Sequence, residues 1–398
     1  MIKYHRVKKL CWKGRRHVRY RELGKTGAMV SALGFGCMRF PMIGEGKDKK
    51  VDDEKTGEML KYAVEHGINY FDSGFGYCRG DGQRAMGKAL APFRDKVYIS
   101  TKLPMWTFRK QDDFWYYLEE SLKRIDTDYI DFYHFHAVNR GFWNMIKRFD
   151  LLTLAQRAKE QGMIRHIGFS FHDEVDLLTE LVDTGCFENV LCQYNLIDRR
   201  NEKAMAYARE KGVGVLIMGP VAGGNIAQGG EEFLKKFVPE GKTPPSGVEL
   251  AFNFVYGNPA IDCVLSGMEN MDMLKQNIEL SERFAGNVPK EEWDSMKFDV
   301  EEISKLSDLY CPSCEYCLVC PKNIKPLTYF RTYNRWKVWG LEESAKDFYR
   351  QLGKTDMAGT NADECLECGL CASKCPQKID IPNKLKEVNA EFKKLVNG

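Results

Sequence analysis

Between residues 30 and 285 the chain alternates short apolar or β-branched runs with longer amphipathic ones, and this alternation limits the fold more than any other feature. Eight runs read as strands: VSALGFG (30–36), INYFDS (68–73), KVYIST (96–101), YIDFYHF (129–135), IRHIGFS (164–170), NVLCQYN (189–195), GVGVLI (212–217) and DCVLSG (262–267). Between them, KTGEMLKYAVEHG, DFWYYLEESLKRI, LLTLAQRAKEQG and EKAMAYAREKG repeat apolar residues every three or four positions, and a glycine often follows. That is the pattern of an amphipathic helix with a glycine stop. Strand starts recur every two to three dozen residues, which suits a βα unit with a right-handed crossover. Eight such units in about 250 residues predict a closed (β/α)8 barrel. Strict alternation through eight strands favours closure over a doubly wound open sheet.

The last barrel helix is expected at MDMLKQNIELSERF (271–284), so the barrel takes residues 19–286. KEEWDSMKFDVEEISKLSD (290–308) is polar and helical, giving a linking helix over 287–309, and composition changes abruptly at Tyr310 to begin a domain over 310–398. Residues 1–18 form a basic extension. The first 21 residues carry nine Lys or Arg and no Asp or Glu, so the formal +3 of the whole chain leaves −6 for the rest. A nucleic-acid-binding body is therefore not implied. The basic stretch has no apolar run that could serve a signal peptide. The most apolar stretch elsewhere, VGVLIMGPVAGG (213–224), is broken by glycine and proline and falls short of the roughly 20 residues that span a bilayer. The expectation is a soluble cytoplasmic protein with neither membrane nor nucleic acid as partner.

Chemistry in such a barrel gathers at the C-terminal ends of the strands. Asp72 follows the second strand, with Tyr77 five residues on in FDSGFGY; Lys102 closes the third and His136 the fourth. Singly, each has an ordinary structural role, as helix cap, core residue, surface chain or rim histidine. Together they make a chemical unit. A tyrosine is a poor acid at neutral pH unless a nearby ammonium stabilises its phenolate. A carboxylate can hold that ammonium charged, and a histidine can donate to the same carbonyl oxygen.

Residues 19–285 resemble an aldo-keto reductase. The resemblance is carried by YRELGKTG, SALGFGCM, NYFDSGFGY, ISTKLP, DYIDFYHFH, HIGFSFHD, CQYN, MGPVAGG and LSGMENMDMLKQN, in the family's order. It implies Tyr77 as general acid, Lys102 and Asp72 as its activating pair and His136 as a substrate-orienting donor. It further implies NAD(P)H as cofactor, with Gly36 in its site and Ser170 and Gln193 on the carboxamide. His134 has no role in the family and reads as structural. Cofactor phosphates are expected over the loops after strands seven and eight, where backbone N–H groups collect anions. This nominates Gly219, Pro220, Val221, Ser266, Gly267 and Met268, with Gln276 and Asn277 towards the adenine. Three positions depart from the family's pattern. Met218 stands where an aromatic residue usually stacks on nicotinamide, Phe171 where an asparagine often follows the serine, and Met273 where an arginine commonly pairs the 2′-phosphate of NADP. Asn270 and Lys275 are the nearest polar substitutes for that arginine, and the choice between NAD and NADP stays open.

Eight of the fourteen cysteines fall between Cys311 and Cys375. CLECGLCASKCP holds Cys365, Cys368, Cys371 and Cys375 as C-x2-C-x2-C-x3-C-P, and CPSCEYCLVCP holds Cys311, Cys314, Cys317 and Cys320 in the same pattern shortened by one. This is the bacterial ferredoxin run, in which the fourth cysteine ligates the other cluster. Two [4Fe–4S] clusters follow, one on Cys311, Cys314, Cys317 and Cys375, the other on Cys365, Cys368, Cys371 and Cys320. Zinc sites usually pair two C-x2-C halves across a spacer, whereas each half here has four thiols and a trailing proline. The 44 residues between Cys320 and Cys365 include PLTYFRTYNRWKVWG and ESAKDFYRQLG, which read as helices. The segment thus resembles the helical dicluster ferredoxin module, and a segment this short is expected to rely on its ligands rather than on a large core.

The expected function is an NAD(P)-dependent oxidoreductase that passes hydride to or from a small carbonyl or alcohol, with two clusters exchanging electrons with a redox partner protein. Hydride carries two electrons and a cluster passes one, so coupling them normally needs a cofactor that does both, such as a flavin. No flavin motif is present, although barrel phosphate sites can hold one. The alternative is a redox-responsive electron carrier or flavin-linked enzyme in which the barrel does not run simple nicotinamide chemistry. Trp106, Trp115 and Trp143 are candidates for an aromatic pocket wall.

Overall fold

The computed structural model describes residues 18–397 apart from 46–47, 229–230, 239–240, 297–310, 312–315, 340–341 and 356–357. The basic extension up to residue 17, most of the linking helix, and Cys314 lie outside the described residues. The chain divides into two compact units. One holds the chain up to Tyr194, Arg200–Pro220 and Phe252–Lys290; the other holds Asn195–Arg199, Val221–Ala251 and the chain from Glu291.

The first unit contains a closed barrel of eight parallel strands: β1 (Leu33–Gly36), β2 (Tyr70–Asp72), β3 (Tyr98–Leu103), β4 (Ile130–Val138), β5 (Ile164–Phe171), β6 (Asn189–Gln193), β7 (Gly214–Met218) and β8 (Cys263–Gly267). Each strand pairs with its neighbour in sequence, and β8 returns to β1. The run 30–36, read as one strand, is two. Met29–Ser31 pairs antiparallel with Tyr20–Glu22, and the barrel strand begins at Leu33. The break falls at Ala32, whose N–H donates to the Arg19 carbonyl, while the Ser31 N–H donates to the Asn69 side chain.

The hairpin supplies Leu23, Ala28 and Val30 to a buried cluster with Tyr70, Tyr98, Phe132, Leu191, Leu216, Cys263 and Leu265. Asp262 ties it down by accepting from Gly24 N (3.1 Å) and Val215 N (3.0 Å) and pairing with Arg209. Gly24 has φ +55°, and a Cβ there would lie 2.3 Å from the Gly214 backbone, so only glycine allows this approach. Outside the barrel wall, the fully buried Asp131 accepts from Arg94 and Arg165 at 2.8 Å each, and the two guanidiniums sandwich the Tyr129 ring at 3.9 and 3.8 Å.

In the second unit, helices Pro326–Trp339, Glu342–Gln351 and Ile381–Asn397 pack together. Their core is an aromatic box. Tyr329, Tyr333, Trp336, Phe348 and Tyr349 surround Phe392, with ring centroids 5.7–6.1 Å away. The cysteine-bearing segment is thus less dependent on ligands for its packing than its length suggests. No helix among the described residues is long and apolar enough to cross a membrane.

His134 occupies the barrel interior, fully buried, with Nε2 2.5 Å from Asn189 Oδ1. Burial pulls its pKa from the usual 6.5 to about 4. In the unfolded chain this imidazole takes up a proton near pH 6.5, in the folded barrel only near 4. Stability is therefore fully present above 6.5 and falls as pH drops towards 4, by about 3 kcal/mol for this residue. Urea unfolding at pH 7 and pH 4 should show a smaller acid loss for His134→Gln than for the wild type; equal losses would contradict the buried neutral imidazole.

Candidate active site

The side chains nominated from strand ends come from the last positions of neighbouring strands. Gly36, Asp72 and Ser100 are register partners across β1, β2 and β3, and Lys102 lies level with His134 of β4. Period-two alternation turns Ser100 and Lys102 to one side of β3. The Lys102 ammonium donates to Asp72 Oδ2 at 2.5 Å and to the Ser73 carbonyl at 2.6 Å, while Ser100 Oγ donates to Asp72 Oδ1 at 2.8 Å. Lys102 is only 1% exposed and Asp72 3%. Burial lowers the lysine's pKa from 10.5, and the Asp72 charge and hydrogen bond work against that fall.

Tyr77 opens a short 3-10 turn, Tyr77–Gly80, after β2. Its ring lies against Gly74, where a Cβ would come within 2.9 Å of it, so the glycine in FDSGFGY is what lets the phenol lie there. Lys102 Nζ is 4.7 Å from the Tyr77 ring centroid. His136 meets the same ring edge-on at 5.8 Å and the Trp106 indole at 4.8 Å. Burial, reinforced by the Lys102 charge, drives the His136 pKa well below 6.5, so the imidazole is neutral. Its Nδ1 is enclosed and has no hydrogen-bond partner among the described residues. Asp72, Tyr77, Lys102 and His136 therefore do converge. Ser100, Ser73 and Trp106 complete the group. Ser100 could have been found from its place two residues before Lys102 on the same strand.

The residues nominated for a dinucleotide are placed less uniformly. Ser170 is buried and its Oγ accepts from Ala137 N at 2.7 Å, leaving the hydroxyl hydrogen free to donate. Gln193 is buried, with Nε2 3.5 Å from the Gly219 carbonyl; Gly219 has φ +68°, and a Cβ would strike the Gln193 amide at 2.1 Å. Met218 ends β7 half-buried, followed by Gly219 and Pro220. Val221 belongs to the second unit. A Cβ on Gly36 would be 3.3 Å from the Ser266 carbonyl, and one on Gly267 would press on Arg39. These close backbones at the ends of β1 and β8, with the Ser170 donor, suit a group whose carboxamide and phosphates need N–H and O–H partners. Asn277 is turned inward, donating to Ser266 Oγ at 3.0 Å; Met268 is wholly buried and Gln276 exposed. Asn270 caps helix Met271–Phe284 by accepting from Met273 N. Trp143 is packing rather than pocket wall. It is 4% exposed, donates to Glu180 and lies against Phe187.

In the second unit, Cys320, Cys365, Cys368 and Cys371 line one cavity, together with Leu366 and Leu370. Among the described residues no group of three or more such side chains is placed to hold a metal ion; these four thiols line one cavity. Cys365 Sγ accepts from Glu367 N at 3.4 Å. Burial raises the Cys371 thiol pKa, and the neighbouring Cys365 and Cys320 raise it further, a crowding that a bound cation relieves. Cys311 and Cys317 are buried in the aromatic core, with Cys375 packed against it, and Cys314 lies outside the described residues.

Known proteins agree with both parts. Residues 32–297 match the aldo/keto reductase family, and residues 310–380 match a 4Fe-4S dicluster domain. An uncharacterized oxidoreductase of Bacillus subtilis, YqkF, is 27% identical over 293 residues, covering 66% of this chain and 90% of its own. The L-galactose dehydrogenase of Arabidopsis thaliana is 25% identical over 324 residues, covering 74% and 95%. The holo form of aldo-keto reductase AKR11C1 from Bacillus halodurans superposes with a TM-score of 0.60 at 25% identity, covering 71% of this chain and 97% of that one. With eight strands in the expected order and a match over most of the barrel, this chain belongs to the aldo/keto reductase family and carries a 4Fe-4S dicluster domain at the C-terminal end of its sequence.

Proposed function

We propose that this oxidoreductase interconverts a small carbonyl compound and its alcohol by hydride transfer with NAD(P)H, and that its C-terminal domain holds two [4Fe–4S] clusters for electron transfer. The observation that carries the first part is the enclosed Lys102–Asp72 pair set against the Tyr77 ring beside a neutral His136.

Gly36, Ser170, Gln193 and Gly267, at the ends of β1, β5, β6 and β8, would hold a nicotinamide dinucleotide, which would supply or accept the hydride. The chain's own residues manage the proton and the oxygen. The carbonyl oxygen sits between the Tyr77 hydroxyl and His136 Nε2. As negative charge grows on that oxygen, Tyr77 donates its proton and Lys102 stabilises the phenolate left behind. Asp72 and the Ser73 carbonyl keep Lys102 protonated and fixed. A neutral His136 donates from Nε2 without bringing a second positive charge next to Lys102. In the reverse direction the Tyr77 phenolate takes the alcohol proton. The Trp106 indole lies against His136 at 4.8 Å, which favours substrates with an apolar portion.

For the clusters, the assignment is Cys320, Cys365, Cys368 and Cys371 on one and Cys311, Cys314, Cys317 and Cys375 on the other. Bound clusters pass electrons singly. Leu318, Val319, Leu366 and Leu370, 44–60% exposed, interleave with the ligating cysteines and offer a redox partner protein an apolar approach to them.

Under anaerobic conditions Tyr77→Phe should lower kcat for carbonyl reduction about 10²–10⁴-fold; unchanged turnover would remove Tyr77 as the acid. Because burial lowers the Lys102 pKa and Asp72 opposes it, activity should fall as pH rises towards 10.5. Asp72→Asn should move that alkaline limb to lower pH, and an unmoved limb would separate Asp72 from the lysine's charge state. Anaerobically purified protein should contain about eight irons per chain, and fewer than about four would end the two-cluster assignment.

A further inference from the structure

Helix Pro326–Trp339 presents two unlike faces. Tyr329, Phe330, Tyr333 and Trp336 pack into the aromatic core. Helical spacing puts Arg331 and Arg335 one turn apart on the other side. Both are half-buried and the Nε of each is sealed from solvent, yet neither guanidinium meets a hydrogen-bond acceptor or a carboxylate among the described residues. Burial lowers the Arg335 pKa, and the like charge of Arg331 lowers it further.

The contrast with other arginines of the chain is direct. Arg84 pairs with Asp53 and Asp81, Arg94 and Arg165 share Asp131, Arg140 pairs with Glu180 and Arg209 with Asp262. Within its own unit, helix Pro326–Trp339 packs against helix Glu231–Lys235, where Glu231 pairs with Lys235 at 3.0 Å. A half-buried pair of cations with no counter-charge among the described residues is costly, and like charges at this spacing repel. A bound anion removes both costs.

We propose that Arg331 and Arg335 bind a phosphate group, either free inorganic phosphate or the phosphate ester of a nucleotide. Two adjacent guanidinium forks offer planar donor pairs, which match the oxygens of a tetrahedral anion, and a phosphate near −2 balances both charges where a carboxylate balances one. The site does not depend on the reading of the barrel reaction.

The test is calorimetric titration of the full, cluster-loaded protein at low ionic strength with inorganic phosphate and, separately, adenosine 2′,5′-bisphosphate. The wild type should bind at least one of them, and the double variant Arg331→Gln/Arg335→Gln should bind about tenfold more weakly or worse. Binding of the bisphosphate alone assigns a nucleotide ester, and binding of inorganic phosphate assigns the free ion. Visible cluster absorbance reports that the variant is folded. Should the double variant lose its clusters, Arg331→Lys/Arg335→Lys keeps the charge but not the fork, and severalfold weaker binding is expected from it. The proposal is overturned if the wild type binds neither anion, or if the folded variants bind as the wild type does.

Discussion

Two opposite charges, the Lys102 ammonium and the Asp72 carboxylate, meet at a depth that solvent scarcely reaches, and the arrangement of the barrel mouth follows from them. Each would be strongly disfavoured there alone. Asp72 accepts from Lys102 and Ser100, and Lys102 donates to Asp72 and to the Ser73 carbonyl, so neighbouring strands must stay in register for either charge to be tolerated. With the pair in place, the ammonium lies close to the Tyr77 ring and adds to the burial that keeps His136 from taking a proton. A cationic imidazole would set a second positive charge close to Lys102. A neutral one leaves a single cation to support a developing phenolate.

How much of this can be read from the chain depends on whether the information is periodic. Strand spacing gave the barrel, because a closed parallel sheet forces apolar runs to recur at the length of one βα unit. Lys102, His136 and Asp72 were readable for the same reason, being polar residues where apolar strands end. Ala32 was not, since its role is to turn the chain between a hairpin and a barrel strand with no change in composition. Trp143 could not be assigned to packing without knowing that Glu180 and Phe187 surround it. The helix Ile381–Asn397 carried a usable signal in Leu385, Val388, Phe392 and Leu395, spaced three, four and three apart. What no spacing reveals is that five aromatic rings from two other helices close on Phe392.

The cysteine runs are the opposite case. Their spacing alone predicts which thiols share a cluster, and Cys320, distant in sequence from Cys365, Cys368 and Cys371, lines the same cavity with them. The compact units also cut across the division expected from sequence, because Asn195–Arg199 and Val221–Ala251, which follow β6 and β7, group with the cysteine-bearing segment. Loops that leave a barrel need not share its packing. In this chain the segment after β7 groups with the cysteine-bearing unit rather than with the barrel.

The central claim is that the barrel carries out hydride transfer at a carbonyl carbon, rather than serving as a scaffold for one-electron chemistry. The most direct measurement is isotopic. A small aldehyde or ketone is reduced anaerobically by the cluster-loaded protein with a dinucleotide deuterated at the transferable nicotinamide position, and the alcohol is analysed by mass spectrometry and NMR. The account predicts one deuterium on the carbinol carbon of the product, formed at least about 10²-fold more slowly when Tyr77→Phe replaces the wild type. Alcohol formed without deuterium at that carbon would mean that the electrons arrived singly and the hydrogen came from water, which would contradict it.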